Sequence, residues 1–572
     1  MELPENYSRE FESAVERIRD SIFECDHDQI DQYLQAVDEI QRSMGFMKDD
    51  NLSRANKMMQ IAVARLKEEF RNILISNVCS IETDSLSYPP DYLAYSTSLS
   101  TEYIKDDPPL SKESISGLRS ISERMSYAGY IGDCIQVYVD VRKSFMDTNF
   151  QRLGLEKLGT GKIKRLDWEI LAAKIVRWIQ AAQVCVQFLF AREKQLCKQI
   201  FEGLGSGGED DECFTRTVKD HAIVFLNFAE SVAVIRPSPE KLFKVLDLYN
   251  ELSQLLPEIR DVIFRSESFL QIRVQATETV SGLAEAARGI LTKFENDVLR
   301  ELSEIPVPGG STHPLTKYVM HYIIRMISDY KQNLIELVIP MPSPSLTCSG
   351  DMDLVKLAGQ TPLAFRLSWI IVVLQFKLDG KSKHYEDESL GHLFMMNNIH
   401  HIVQKINDFT ELQEMVGNSF VEKLAEKVQH AMEDYQISTW NKILFPLDLV
   451  APNADWRFLF GRDTSMVALK SFYAMFERAH ETQAEWLVPD LRLREAIRRS
   501  ILNRLIPSYK LMLDKMDVSK NNKLIRHRMD AMHRENLQKY IKFSVEDIES
   551  AISDFFKGHS VWDQLTEIHQ IH

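Results

Sequence analysis

Apolar side chains recur every three or four residues along most of this chain, and little interrupts them. Phe11, Val15, Ile18 and Ile22 step by four, three and four, the spacing of one helix face. From Arg54 to Ser76 the residues Met58, Met59, Ala62, Val63, Leu66, Phe70, Ile73 and Leu74 repeat the pattern, with Arg65, Lys67, Glu68 and Glu69 expected mostly outward. The turn punctuation that a many-stranded fold needs is scarce, with 22 glycines and 19 prolines in 572 residues. No stretch alternates as a half-buried strand does, and no fixed-period repeat is visible. The expected fold is all-α.

A chain of this length exceeds one hydrophobic core. The period fails first at residues 84 to 109, rich in Ser, Thr, Pro and Asp, leaving about two helices before this linker. Further breaks fall at Gly203–Glu212, Pro306–Thr312 and Pro340–Asp351. Asp167 to Phe201 holds neither glycine nor proline, which predicts a helix close to that full length. Ser238-Pro239-Glu240 reads as N-cap, N1 and N2, and Val488-Pro489-Asp490 precedes a long charged helix from near Leu491. The expected organisation is an N-terminal helical segment over 1–83, a linker over 84–110, central bundles over 111–340, a third bundle over 341–480 and a basic C-terminal bundle over 481–572. Antiparallel bundles stacked end to end make an elongated rod.

The apolar share of 44% and charged share of 26% are those of a folded chain. Net charge −15 argues against a general nucleic-acid binder. Cys25, Cys79, Cys134, Cys185, Cys197, Cys213 and Cys348 form no C-x-x-C pair and read as reduced thiols. The N-terminus lacks the basic and apolar regions of a secretory signal, and the chain is expected to stay in the cytoplasm. The most apolar run, Trp369 to Leu374, is bounded by Arg366 and Lys377 and falls short of the ~20 residues of a membrane span. Membrane contact is expected to be peripheral.

Motifs of chemistry are weak. Gly203, Gly205 and Gly208 satisfy G-x-G-x-x-G, but they follow a helix rather than a strand, and Glu209, Asp210, Asp211 and Glu212 repel a pyrophosphate. Gly380-Lys381-Ser382 lacks the upstream glycine of a P-loop, where Gln375 stands, and reads as a surface turn. His392, His400 and His401 have no Glu or Cys three or four residues after them and read as buried or half-buried imidazoles with hydrogen-bond partners. No nucleophile elbow, zincin or kinase set is present, so neither an enzyme nor a cofactor is expected.

The informative feature is charge segregation. Leu491 to Lys542 carries fourteen Lys or Arg against five Asp or Glu, a net +9, which leaves −24 for the remainder. A cytosolic leaflet attracts such a patch by ~1 kcal/mol per basic side chain near its surface. The alternative is a solvated helix whose charges pair at i, i+4.

Four strings carry a family resemblance: STHPLTKYVMHYI from Ser311, HLFMMNNIHHIVQKI from His392, WLVPDLRLREAIRRSILNRLIPSYK from Trp486, and QKYIKFSVEDIESAISDFF from Gln538. They resemble the plant branch of the exocyst seventy-kilodalton subunit family, with weaker similarity running back to Asp167. The resemblance implies stacked helical bundles and membership, with the other exocyst subunits, of a complex that tethers secretory vesicles to the plasma membrane. It also implies binding of phosphatidylinositol 4,5-bisphosphate and the anionic membrane surface through the C-terminal bundle, with Lys539 and Lys542 as the lysines of the family's K-Y-I-K motif. A further basic position expected four residues before Lys539 is Glu535 here, with Arg534 and His533 beside it. Lys523, Arg526 and Arg528 extend the expected basic surface. The family's N-terminal coiled coil is expected to be shortened. The location implied is cytoplasmic, peripheral at the plasma membrane and secretory vesicles. The competing reading is a helical adaptor for protein or peptide partners without membrane contact, including a plant-defence role as a target of pathogen effectors.

Overall fold

A computed structural model describes residues 5–20, 27–47, 49–76, 110–301, 305–341, 361–448, 463–521 and 541–558. Among the described residues there is no strand, only one isolated antiparallel bridge between Leu487 and Lys557. The all-α class expected from the periodicity is the class observed. No helix among them is long and apolar enough to cross a membrane. The chain divides into two compact units, Met1–Leu291 and Thr292–His572.

Three helices, α1 (Glu5–Asp20), α2 (His27–Met44) and α3 (Asp49–Ser76), open the first unit, where the sequence reading expected about two. The missed helix is α2, whose Tyr33, Leu34, Val37 and Ile40 are buried at helical spacing. Glu69 of α3, expected outward, is buried. The linker expected over 84–110 lies, except for Leu110, outside the described residues, as do Cys25, Cys79 and Cys348. Beyond it come α4 (Lys112–Tyr127), α5 (Ile131–Leu153) and the short α6 (Thr160–Ile163). The expected helix from Asp167 to Phe201 is present as α7 (Trp168–Gln183) and α8 (Ala191–Phe201), joined by a π-helical segment, Val184–Phe190. The backbone never breaks, and Cys185, Val186, Leu189 and Phe190 of that segment are buried. Then follow α9 (Glu209–Ala233), α10 (Leu242–Pro257) and α11 (Leu270–Arg300), the last of which passes into the second unit at Thr292. Aromatic packing ties this unit together: Trp178 stacks on Phe225 at 4.5 Å between ring centroids and donates its indole N–H to the Phe225 carbonyl at 3.1 Å.

Ser238 does not cap a backbone N–H as expected; its hydroxyl donates to the Glu240 carboxylate, and Pro239–Lys241 is a 3-10 turn leading into α10. The Gly203–Glu212 break is a turn in which Gly203, Gly205 and Gly208 all have positive φ. Its backbone N–H groups at Ser206 and Gly207 donate to the Glu209 carboxylate at 2.7 and 2.9 Å. An amide nest of the kind that binds phosphate is therefore filled by the chain's own carboxylate.

The second unit contains α12 (Pro314–Val338), α13 (Pro362–Ser382), α14 (Glu388–Asp408), α15 (Thr410–Val416), α16 (Asn418–Tyr435), α17 (Asn441–Asp448), α18 (Asp463–Ala484), α19 (Leu491–Asn521) and α20 (Val545–Ser553). Helix α13 is apolar around most of its circumference and lies in the core, as an all-round hydrophobic helix must. Its one buried arginine, Arg366, is paired with Glu295 of α11 at 2.6 Å. Gly380-Lys381-Ser382 is the last turn of α13 rather than a surface turn, and Lys381 is buried.

Candidate functional site: a basic C-terminal face on a polar knot

Three chain segments distant in sequence are tied to one another by backbone groups that no helix satisfies. Gly309 and Gly310 close the loop before α12 with φ of 65° and 68°. The Leu487 N–H donates to the Gly309 carbonyl at 2.8 Å. Asn397, buried in α14, donates its amide to the carbonyls of Gly310 at 2.7 Å and Leu487 at 2.9 Å. The φ of Gly310 favours a residue without a side chain, and a Cβ there would also stand 3.3 Å from the Leu390 carbonyl oxygen.

The neighbouring Asn398 accepts from the His313 N–H at 2.9 Å and the Thr316 hydroxyl at 2.6 Å, and donates to the Phe394 carbonyl at 2.7 Å. His313 is the N-cap of α12, its Nδ1 accepting from the Leu315 N–H at 3.0 Å. Burial, with Lys381 nearby, pushes this imidazole below its ordinary range. Asp490 starts α19, accepting from the Leu493 N–H at 2.8 Å and lying 3.3 Å from His400 Nε2. Burial opposes its ionisation, yet those bonds hold the carboxyl below the usual range. Of the other histidines, His392 lies 4.0 Å from Glu388, and burial pushes the His401 imidazole down.

The C-terminal segment docks on the same framework. Phe556 has φ of 64°; its N–H donates to the Gln483 carbonyl at 2.9 Å and its carbonyl accepts from the Val488 N–H at 3.2 Å. Ser544 and Asp547 form a reciprocal capping box at the start of α20. Tyr509 donates its hydroxyl to the Phe543 carbonyl at 2.7 Å, and the Lys542 N–H donates to the Tyr473 hydroxyl at 3.2 Å. Lys542 is thus fixed by its backbone. Its ammonium reaches outward, 56% exposed, paired with Glu477 and 5.4 Å from the Phe543 ring centroid.

The fourteen basic residues of the +9 segment separate into different tasks. Arg494 donates to the Val488 carbonyl at 3.0 and 2.8 Å, and Arg498 is buried, bonded to Glu495 and to the Phe555 carbonyl at 2.5 Å. Both serve the knot. Arg492, Arg499 and Lys510 are exposed, and their spacings of seven and eleven residues put them on one face of α19. Of the residues expected to bind a headgroup, Lys542 alone is described; Lys523, Arg526, Arg528, Arg534 and Lys539 lie outside the described residues. Asn397, Asn398, Gly309, Gly310 and Arg498 were not singled out from the sequence. All of them lie in or beside the strings that carried the resemblance, and those strings prove to be the segments that meet here.

Comparison with known proteins bears directly on that convergence. A family model for the C-terminal region of the Exo70 exocyst complex subunit matches residues 176–554, and one for the N-terminal region of exocyst complex component Exo70 matches residues 8–76. The chain belongs to the Exo70 family. It is a plant-type Exo70: it is 30% identical over 570 residues to Exocyst complex component EXO70A1 of Arabidopsis thaliana, covering 94% of this chain and 84% of that protein. EXO70B1 of the same plant is 32% identical over 537 residues, covering 89% of this chain and 80% of its own length. The crystal structure of the S. cerevisiae exocyst component Exo70p matches with a TM-score of 0.59 at 11% identity, over 97% of this chain and all of that one. That likeness shows the fold. The N-terminal family match covers helices α1 to α3.

Proposed function

We propose that this Exo70 works in the cytoplasm as an exocyst subunit, assembling with the other subunits to tether secretory vesicles at the plasma membrane. The observation that carries this reading is the match of the C-terminal family model over residues 176–554, which spans the first three strings and the fourth up to Asp554. Its membrane contact is the basic C-terminal face, where Lys542 with Lys539 meets the phosphorylated headgroup of phosphatidylinositol 4,5-bisphosphate and Lys523, Arg526, Arg528 and Arg534 add attraction to the anionic leaflet. Support comes from the position of Lys542: its backbone is held by Tyr473 while its ammonium is mostly exposed. The pair with Glu477 is a surface pair of the kind worth ~1 kcal/mol or less, so a headgroup displaces it at small cost.

Replacing Lys539 and Lys542 together by alanine removes two contacts of ~1 kcal/mol each. Binding to vesicles containing phosphatidylinositol 4,5-bisphosphate is expected to weaken roughly thirtyfold in co-sedimentation, with thermal unfolding unchanged. A folded double variant that binds as the parent does sinks the headgroup assignment and favours the adaptor reading. Co-precipitation with the other exocyst subunits tests the scaffold role separately.

A further inference from the structure

The first unit carries a second concentration of positive charge that neither the +9 segment nor the family match accounts for. Residues 157–165, KLGTGKIKR, hold Lys157, Lys162, Lys164 and Arg165 and no acid, in a chain of net charge −15. All four are exposed, and among the described residues none of them makes an ion pair. The short helix α6, which carries Lys162, is pinned to the far end of α9 by a 3.0 Å bond between the hydroxyls of Thr160 and Ser231. The chain leaving α9 adds Arg236, whose carbonyl accepts from Lys241 Nζ at 3.1 Å, and Lys241 lies 5.7 Å from the ring of Trp168. Of the nearby acids, Glu156 is taken by Lys174 at 3.2 Å and Asp220, which Lys157 also attracts, by Lys143 at 3.0 Å, while Asp167 and Glu169 open α7.

Complementing the negative end of α9 does not explain the group. A helix C-terminus is served by one cation near its last turn, and four exposed ones exceed that need. Apolar side chains flank these cations in sequence: Ile170, five residues after Arg165, is 48% exposed, Val234, two residues before Arg236, is 52% exposed, and Trp168 is half-buried. Three of the four cations are lysines, point charges on flexible stems that lack the bidentate fork suited to individual carboxylates. Lysines around exposed aliphatic groups and an indole suit the headgroup and acyl boundary of an anionic bilayer.

We infer that the Lys157–Arg165 loop, with Arg236, Ile170 and Val234, is a second anionic-lipid contact, located in the first unit and independent of the C-terminal face. The test uses the full chain already carrying Lys539→Ala and Lys542→Ala, so that the C-terminal contact is weakened and what remains of it is common to every variant compared. This protein is expected to co-sediment with phosphatidylcholine vesicles containing phosphatidylserine and to ignore pure phosphatidylcholine. Adding Lys162→Gln, Lys164→Gln and Arg165→Gln is expected to weaken that binding by roughly a hundredfold, whereas Lys162→Arg with Lys164→Arg retains it. Should the triple change unfold the protein, Lys157→Gln with Lys164→Gln is read in its place, with a loss of roughly thirtyfold expected. The inference is overturned if the folded glutamine variants bind as their background does, or if that background does not bind acidic vesicles at all. Binding of polyglutamate, but not of vesicles, that vanishes with the glutamines also overturns it, in favour of an acidic polypeptide. Failure of the C-terminal reading appears on the parent background instead, so the two outcomes are distinguishable.

Discussion

His313 shows how one side chain couples a cap to solution pH. It caps α12 only while Nδ1 carries a lone pair, and burial disfavours its protonation in the folded state. The unfolded chain binds the proton at the ordinary value of ~6.5. The folded chain binds it only at lower pH, so this contribution is complete above ~6.5 and is lost as pH falls below it. His401, also held below its ordinary range, adds to the same slope. His313→Asn keeps a cap acceptor that does not titrate. Its urea midpoint, followed from about pH 7 to pH 5, is expected to fall less steeply than the parent's; an identical slope rules out His313 as a source. Asn397 is tied to shape instead of pH. Asn397→Ala orphans the carbonyls of Gly310 and Leu487 as donor-less buried acceptors, and denaturant unfolding is expected to show a loss of about 2–3 kcal/mol.

Between elements, the decisive contacts are polar groups inside apolar interfaces. Arg142 of α5 and Glu193 of α8 are joined at 2.6 Å with side chains 10% and 0% exposed, and the Tyr138 hydroxyl donates to the same carboxylate at 2.8 Å. Glu193→Ala leaves a buried guanidinium without its counter-charge, and a loss of about 3–5 kcal/mol is expected in equilibrium unfolding. The paired change Arg142→Met with Glu193→Leu removes both charges and is expected to recover most of that loss. A double variant as unstable as Glu193→Ala would show that the interface fails for reasons of packing. The periodicity of residues 167 to 201 predicted the helix on which Glu193 sits. The π-helical segment before Glu193 was not read from that pattern, because the buried Ala181, Ala182, Cys185, Val186, Leu189 and Phe190 keep a spacing of three to four across it.

For the molecule as a whole, charge is the property with a direct functional reading. Exposed charges act through screened solvent, and the Debye length shrinks from ~8 Å at physiological salt to ~3 Å at 1 M. Binding of the parent protein to acidic vesicles is therefore expected to fall steeply as sodium chloride rises, while helical circular dichroism stays constant. Salt-insensitive binding would assign the membrane contact to apolar insertion instead. The net +9 between Leu491 and Lys542 overstates the cations free for this purpose, since Arg494 and Arg498 are spent on the carbonyls of Val488 and Phe555.

The all-α class and the long helix from near Leu491 were legible in the residues alone, because helix periodicity is local in sequence. The neutral reading of G-x-G-x-x-G was also legible, although the occupant of its nest, Glu209, was not. Which polar residues matter was decided by tertiary structure: Asn397 and Asn398 look like ordinary helical asparagines until segments some 85 residues away bring them unpaired carbonyls and N–H groups. The same holds for the arginines of α19, whose identical chemistry is divided between buried ties and exposed charge by the helix face on which each falls. A buried polar group takes its value from the partner that closes its hydrogen bonds, and that partner is a fact of the fold.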